Sequence, residues 1–102
     1  MNDCVTDLRE DRNGFRVTVN NSEVFHLTEA EYRAFPLQPS QALDWDAYRQ
    51  ALLVRQYPEA LNRAVAFLAI RDRSYHEVER KLMDKGYLAD TVEMVLYKLQ
   101  KE

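Results

Sequence analysis

A chain of 102 residues, 46% hydrophobic and 30% charged, fits one domain or a compact module with an appendage and can bury a modest core. It has no apolar run near the ~20 residues of a membrane span, no positive-then-apolar leader in Met1-Asn2-Asp3-Cys4, and a lone cysteine, Cys4, that excludes an internal disulfide and every cysteine-rich zinc site, so a cytoplasmic, reducing setting is expected. The net charge of −3 argues against a protein that wraps duplex DNA, but the balance is uneven: residues 1–50 carry five Arg/Lys against nine Asp/Glu, and residues 51–102 carry nine against eight.

Residues 1–27 read as β. Cys4 to Glu10 is the first candidate strand, and Arg12-Asn13-Gly14 supplies a turn, because Asn and Gly tolerate the positive φ angles of tight hairpins. Phe15, Val17 and Val19 then alternate with Arg16, Thr18 and Asn20, the period of a half-buried strand. Asn20-Asn21-Ser22 turns the chain again, and Val24 to Leu27 forms a third strand. The expected product is a three-stranded antiparallel meander, which must lean on helices to be stable.

Thr28-Glu29-Ala30-Glu31 is a capping box, so a short helix runs from there to about Phe35, where Pro36 stops it. Leu37 to Leu43, with Pro39, reads as a loop. Asp44 caps the next helix, whose Trp45, Tyr48, Ala51 and Leu52 share a face; Pro58 disfavours helical geometry at Tyr57 and predicts a break or kink. Leu61, Ala64, Val65, Leu68 and Ala69 then make an apolar stripe. Ser74-Tyr75-His76-Glu77 is a second capping box, opening a helix with Tyr75, Val78 and Leu82 inward. Gly86, after Lys85, is placed to stop that helix. Asp90-Thr91-Val92-Glu93 is expected to cap the last helix, with Val92, Val95, Leu96 and Leu99 inward. The fold class is therefore α+β: residues 1–43 form the meander with its short helix and loop, and residues 44–102 form a helical region ending in a three-helix unit at 58–102.

Within that unit the run Arg71-x-Arg73-Ser74, Glu77-Val78, Lys81-Leu82, Lys85-Gly86-Tyr87, with Ala64 and Leu68 before it and Val95 and Leu99 after, resembles the helical repeat of the RecX family. The order strand–turn–strand, short helix, Leu-containing loop and leading helix also resembles the start of RecX-like proteins. Those proteins modulate the RecA recombinase. The resemblance therefore implies a regulator that binds the RecA filament and inhibits its ATPase, strand exchange and DNA-repair activity. The family continues into second and third repeats, whereas this sequence ends at Gln100-Lys101-Glu102, so it is expected to be a fragment of a longer protein or a short stand-alone relative. A globule of this length has a radius of gyration of only ~13 Å, enough to touch one or two RecA subunits.

The expected contact residues are Arg71, Arg73, Arg80, Lys81 and Lys85, since guanidinium forks bind carboxylate or phosphate bidentately. Each has a plainer reading: Arg71 can neutralise the end of its own helix, Arg73 can pair with Glu77, and Arg80, Lys81 and Lys85 can be a solvated face. Ser74 reads as a cap, and Gly86 with Tyr87 as a helix stop and a packing aromatic. Trp45, Tyr48 and Tyr32 read as core rather than as base-stacking platforms. His26 and His76 lack companions at ligand spacing, so no metal is expected. Ser74 and His76 are wrongly spaced for a nucleophile and base, and two glycines exclude a phosphate-cradling loop. No enzyme activity, cofactor, small-molecule substrate or membrane is expected. Contact with single-stranded DNA, direct or through the filament, stays open, and the competing readings are a small nucleic-acid-binding, helix-turn-helix-like domain and an inert piece of a longer chain.

Overall fold

Local hydrogen bonding sets most of the element ends. The structure, a computed structural model, describes residues 3–101, so the reading of Met1-Asn2 as lacking a leader lies outside the described residues. In order, the elements are β1 (Asp3–Asp11), β2 (Gly14–Val19), β3 (Glu23–Leu27), α1 (Glu29–Ala34), β4 (Ala42–Leu43), α2 (Trp45–Ile70), α3 (Tyr75–Asp84) and α4 (Ala89–Lys101). Two compact units divide between Leu52 and Leu53, inside α2.

The first unit holds an antiparallel sheet in the order β3-β2-β1-β4. At the first hairpin Asn13 N–H donates to Asp11 Oδ1 (2.9 Å), and Gly14, at φ +138°, carries the unusual backbone angle. At the second, Asn20 and Asn21 adopt φ +54° and +57°, the left-handed region that Asn accepts most readily among residues with a Cβ. The alternation in β2 becomes burial: Val17 and Val19 are fully buried and pair across to Phe25 and Glu23. Val5, Phe25, Leu27, Leu37, Trp45 and Leu52 are buried as well.

The expected meander gains a fourth strand. β4 falls in the stretch read as loop, pairing Leu43 with Asp3 and Ala42 with Cys4, while Val5 exchanges bonds with Gln41 O and Ser40 N–H (both 2.9 Å). Two residues are too few to show a strand period, and only the arrival of β1 beside them creates the pairing. The Thr28–Glu31 capping box forms as read, with Glu31 N–H donating to Thr28 Oγ1 (3.1 Å) and Thr28 N–H to Glu31 Oε1 (3.0 Å). Past α1, two carbonyls without helical partners are taken up by phenols: Tyr48 Oη donates to Phe35 O (2.9 Å) and Tyr32 Oη to Leu37 O (2.7 Å). Trp45 is 7% exposed and stacks on Phe25, so it belongs to the core, while Tyr32 and Tyr48 are half-buried at its edge; Ala51, expected on the same face, is exposed.

The second unit comprises the rest of α2 with α3 and α4 around Ala60, Ala64, Val78, Leu82, Tyr87, Val92 and Val95. The break expected at Pro58 does not occur: α2 continues through it for 26 residues. Proline removes the N–H that would bond Val54 O, and it does so on a side of α2 where both Val54 and Pro58 are exposed. Gln56, Ala60 and Ala64, four residues apart and all buried, must meet one core together, which requires a continuous helix. The inward face is displaced from the stripe read in the sequence. Ala60 and Phe67 belong to it, while Val65 is 53% exposed and Ala69 is exposed; Tyr75 on α3 is also outside, at 48%.

Asp90 does not cap α4. The helix begins one residue earlier, with Val92 N–H on Leu88 O (3.1 Å), and its cap comes from another helix. The buried Gln56 Oε1 accepts Leu88 N–H (3.2 Å) and Thr91 Oγ1 (2.9 Å). One carboxamide on α2 thus satisfies an orphan donor that a local Asp would otherwise take.

Beside this, the Tyr87 hydroxyl donates to Glu59 Oε1 (3.1 Å) and accepts from Arg63 Nε (2.8 Å). Burial, then the Glu59 carboxylate, pushes the Tyr87 phenol up from 10.0 to about 12. A phenol that holds its proton more tightly when folded stabilises the fold fully below its unfolded value and loses that contribution as pH rises toward the folded one. The urea midpoint should therefore fall as pH is raised from 10 to 12, and less steeply in Tyr87→Phe. Tyr48, raised further by its own burial, accounts for another share of the fall. An equally steep fall in Tyr87→Phe would remove Tyr87 from the account.

Candidate protein-contact surface

Arg71 and Arg73 lie at the junction of α2 and α3, where the Arg-x-Arg-Ser run crosses from one helix to the next, and Arg80, Lys81 and Lys85 follow along α3 to its C-cap. Ser74 caps α3 through a full box: Glu77 N–H donates to Ser74 Oγ (3.1 Å) and Ser74 N–H to Glu77 Oε1 (3.3 Å). The box fixes the Glu77 carboxylate, and its second oxygen then faces two guanidiniums, Arg71 at 3.9 Å and Arg73 at 3.8 Å. At these distances and exposures the pairs contribute at most about 1 kcal/mol each. Their value is positional: one carboxylate gathers both arginines at the head of α3.

Arg73 has a second partner. Its guanidinium carbon lies 3.9 Å from the centroid of the Phe67 ring, and Lys81 Nζ stands 5.3 Å from the same centroid. Cations over a ring are held by its quadrupole at roughly 0.5–1 kcal/mol where water reaches, more where it does not. Only 15% of the Arg73 side chain is exposed, and its Nε is buried with no hydrogen-bond partner among the described residues. Arg73 is therefore largely committed to its own fold, whereas the Arg71 side chain is 68% exposed.

The structure thus brings together Arg71, Arg73 and Lys81 around Glu77 and Phe67. It does not bring Arg80 or Lys85 to them. Arg80, about 100° around α3 from Lys81, and Lys85, at the helix C-cap, are exposed and form no ion pair among the described residues. Beyond Lys85, Gly86 at φ +88° ends the helix, with its N–H on Met83 O (3.0 Å). Sequence reasoning missed Phe67, the ring on which the cluster is assembled. Its signal was present: it stands eleven residues after Gln56, on the buried side of α2, and one helical turn before Arg71. No group of three or more His, Cys, Asp or Glu able to hold a metal ion occurs among the described residues, and no helix there is long and apolar enough to cross a membrane.

Comparison with known proteins gives the junction a context. Residues 60–99 match the family model of RecX, first three-helix domain. Among solved structures, the chain is similar to one described as the crystal structure of regulatory protein RecX, at 18% identity and a TM-score of 0.47, over 97% of this chain and 50% of that one. The chain spans half the length of that solved chain. No curated protein matches. The matched stretch runs from the buried Ala60 of α2 to Leu99 of α4 and so contains both arginines, the Ser74 cap, Phe67 and the core they surround. Residues 60–99 are thus similar to the first three-helix domain of the RecX family of regulatory proteins.

Proposed function

We propose that this chain is a non-enzymatic regulator that binds the RecA recombinase and restrains its ATPase and strand exchange, and so its part in DNA repair. The observation that carries the reading is the RecX first three-helix domain at residues 60–99. The cationic junction supports it, because it supplies a surface with no reactive constellation. The mechanism is steric and electrostatic: a three-helix unit seated against recombinase subunits blocks the motion that turnover requires. Arg71 and Lys81 make the contact from the cluster, Arg80 and Lys85 extend it along α3, and Arg73 positions the junction by clamping Phe67 and Glu77.

Addition of the chain to RecA on single-stranded DNA should slow ATP hydrolysis. The paired reversal Arg71→Glu and Lys81→Glu should weaken that effect roughly tenfold or more, about 1.4 kcal/mol of contact. Both side chains are exposed, so far-UV dichroism should be unchanged. Native and reversed chains that inhibit equally would refute the assignment of the surface. Affinity for single-stranded DNA without RecA, falling steeply with salt, would favour a nucleic-acid module instead.

A further inference from the structure

The α2–α3 junction exposes an apolar side chain among its cations. Ile70, the last residue of α2, is 75% exposed, and no other large apolar side chain among the described residues is more open to water. It follows Phe67 by three residues, so the two are neighbours on the helix surface. Phe67 packs against the three-helix core, and Ile70 does not. Next in the chain comes Arg71, whose side chain is 68% exposed. The Glu77 carboxylate is 3.9 Å from it, too far for a hydrogen bond, and its donors meet no acceptor among the described residues. An open aliphatic group thus adjoins an open guanidinium, and protein contacts concentrate their affinity in such apolar anchors and arginines. We infer that Ile70 is the apolar anchor of the recombinase contact, and that the junction receives a protein segment carrying a carboxylate close to an apolar side chain, an assignment that rests on the regulator reading.

Charge and shape select protein over nucleic acid here. A base stacks on an aromatic face, but the Phe67 ring is covered by the Arg73 guanidinium at 3.9 Å and otherwise packs against the core. Ile70 offers no ring at all. Residues 70–85 carry five basic side chains against four acidic ones, too small an excess to follow a string of phosphates. A single carboxylate is matched: the Arg71 fork takes both its oxygens, while the partner's apolar side chain covers Ile70.

Titrating RecA ATP hydrolysis on single-stranded DNA with the native chain, Ile70→Ser, Ile70→Leu and Arg71→Gln tests it. Ile70→Ser should raise the half-inhibitory concentration roughly tenfold or more, from the apolar area left uncovered, and Ile70→Leu should stay within about threefold of native. The Ile70→Ser loss should persist as salt is raised, whereas Arg71→Gln should converge on the native chain, because an exposed charge pair is screened and an apolar contact is not. Far-UV dichroism should be unchanged throughout, since both side chains are exposed. A native chain that leaves turnover unchanged would sink the regulator reading and the anchor with it. Inhibition by the native chain that Ile70→Ser matches would overturn the anchor alone. So would an Ile70→Ser loss of affinity for single-stranded DNA without RecA, which would give the site to nucleic acid.

Discussion

Leu82→Ala should destabilise the three-helix domain by roughly 2–5 kcal/mol, the range for truncating a buried leucine whose surroundings only partly close. Leu82 is fully buried: it lies on α3 within the cluster of Ala60, Ala64, Val78, Tyr87, Val92 and Val95. Two of those neighbours are alanines, too short to swing into the vacated space, so the upper half of the range is expected. For a domain whose whole stability is about 5–15 kcal/mol, that is a large fraction. Amide exchange should report it as lost protection in α3 and α4, while β2 and β3 serve as the internal reference. Protection in α3 unchanged within about 0.5 kcal/mol would show that Leu82 is not the centre of this core. Under the proposed function the same variant should also fail to slow RecA, because Arg71, Arg73 and Lys81 are held in register by α3.

Gly14→Ala should be nearly as damaging, in the sheet. Gly14 holds φ at +138°, where an L side chain is strained, and an added Cβ would run into Leu27 O and stand 3.0 Å from Thr28 Cα. These are backbone atoms and cannot turn aside. Relief requires opening the Phe15–Leu27 pairing and disturbing the Thr28 cap that follows it. Strain and overpacking together cost roughly 2–6 kcal/mol. Exchange protection at Phe15, Val17 and Phe25 should collapse while α3 and α4 keep theirs. A Gly14→Ala chain as protected as the native one would mean that the hairpin tolerates a relaxed φ at this position.

Much of the candidate surface was legible before any coordinates. The Ser74–Glu77 box and the Gly86 stop depend on groups three or four residues apart, and the pairing of Arg73 with Glu77 is likewise local. What could not be read is how the charges divide. Arg73 and Arg71 are equivalent in the sequence, yet one is folded over Phe67 and the other faces water, because a ring from the preceding helix occupies only one of the two positions. Of the five cations, three gather around Glu77 and Phe67 and two stand apart on α3 and its C-cap.

The chain by itself determined those features whose partners are neighbours in sequence: both capping boxes, both hairpin turns with their Asn and Gly, and the alternation of Val17 and Val19. Each is a bond or a backbone angle closed within a few residues, so no distant contact can easily overrule it. Tertiary structure alone decided the continuity of α2 through Pro58, the addition of β4, the capping of α4 by Gln56 in place of Asp90, and the exclusion of Val65 and Tyr75 from the core. In each of these a group far along the chain supplies, or withholds, the burial or hydrogen bond that outweighs a local preference of about 1–3 kcal/mol. Such a preference is small enough for a single well-packed neighbour to reverse.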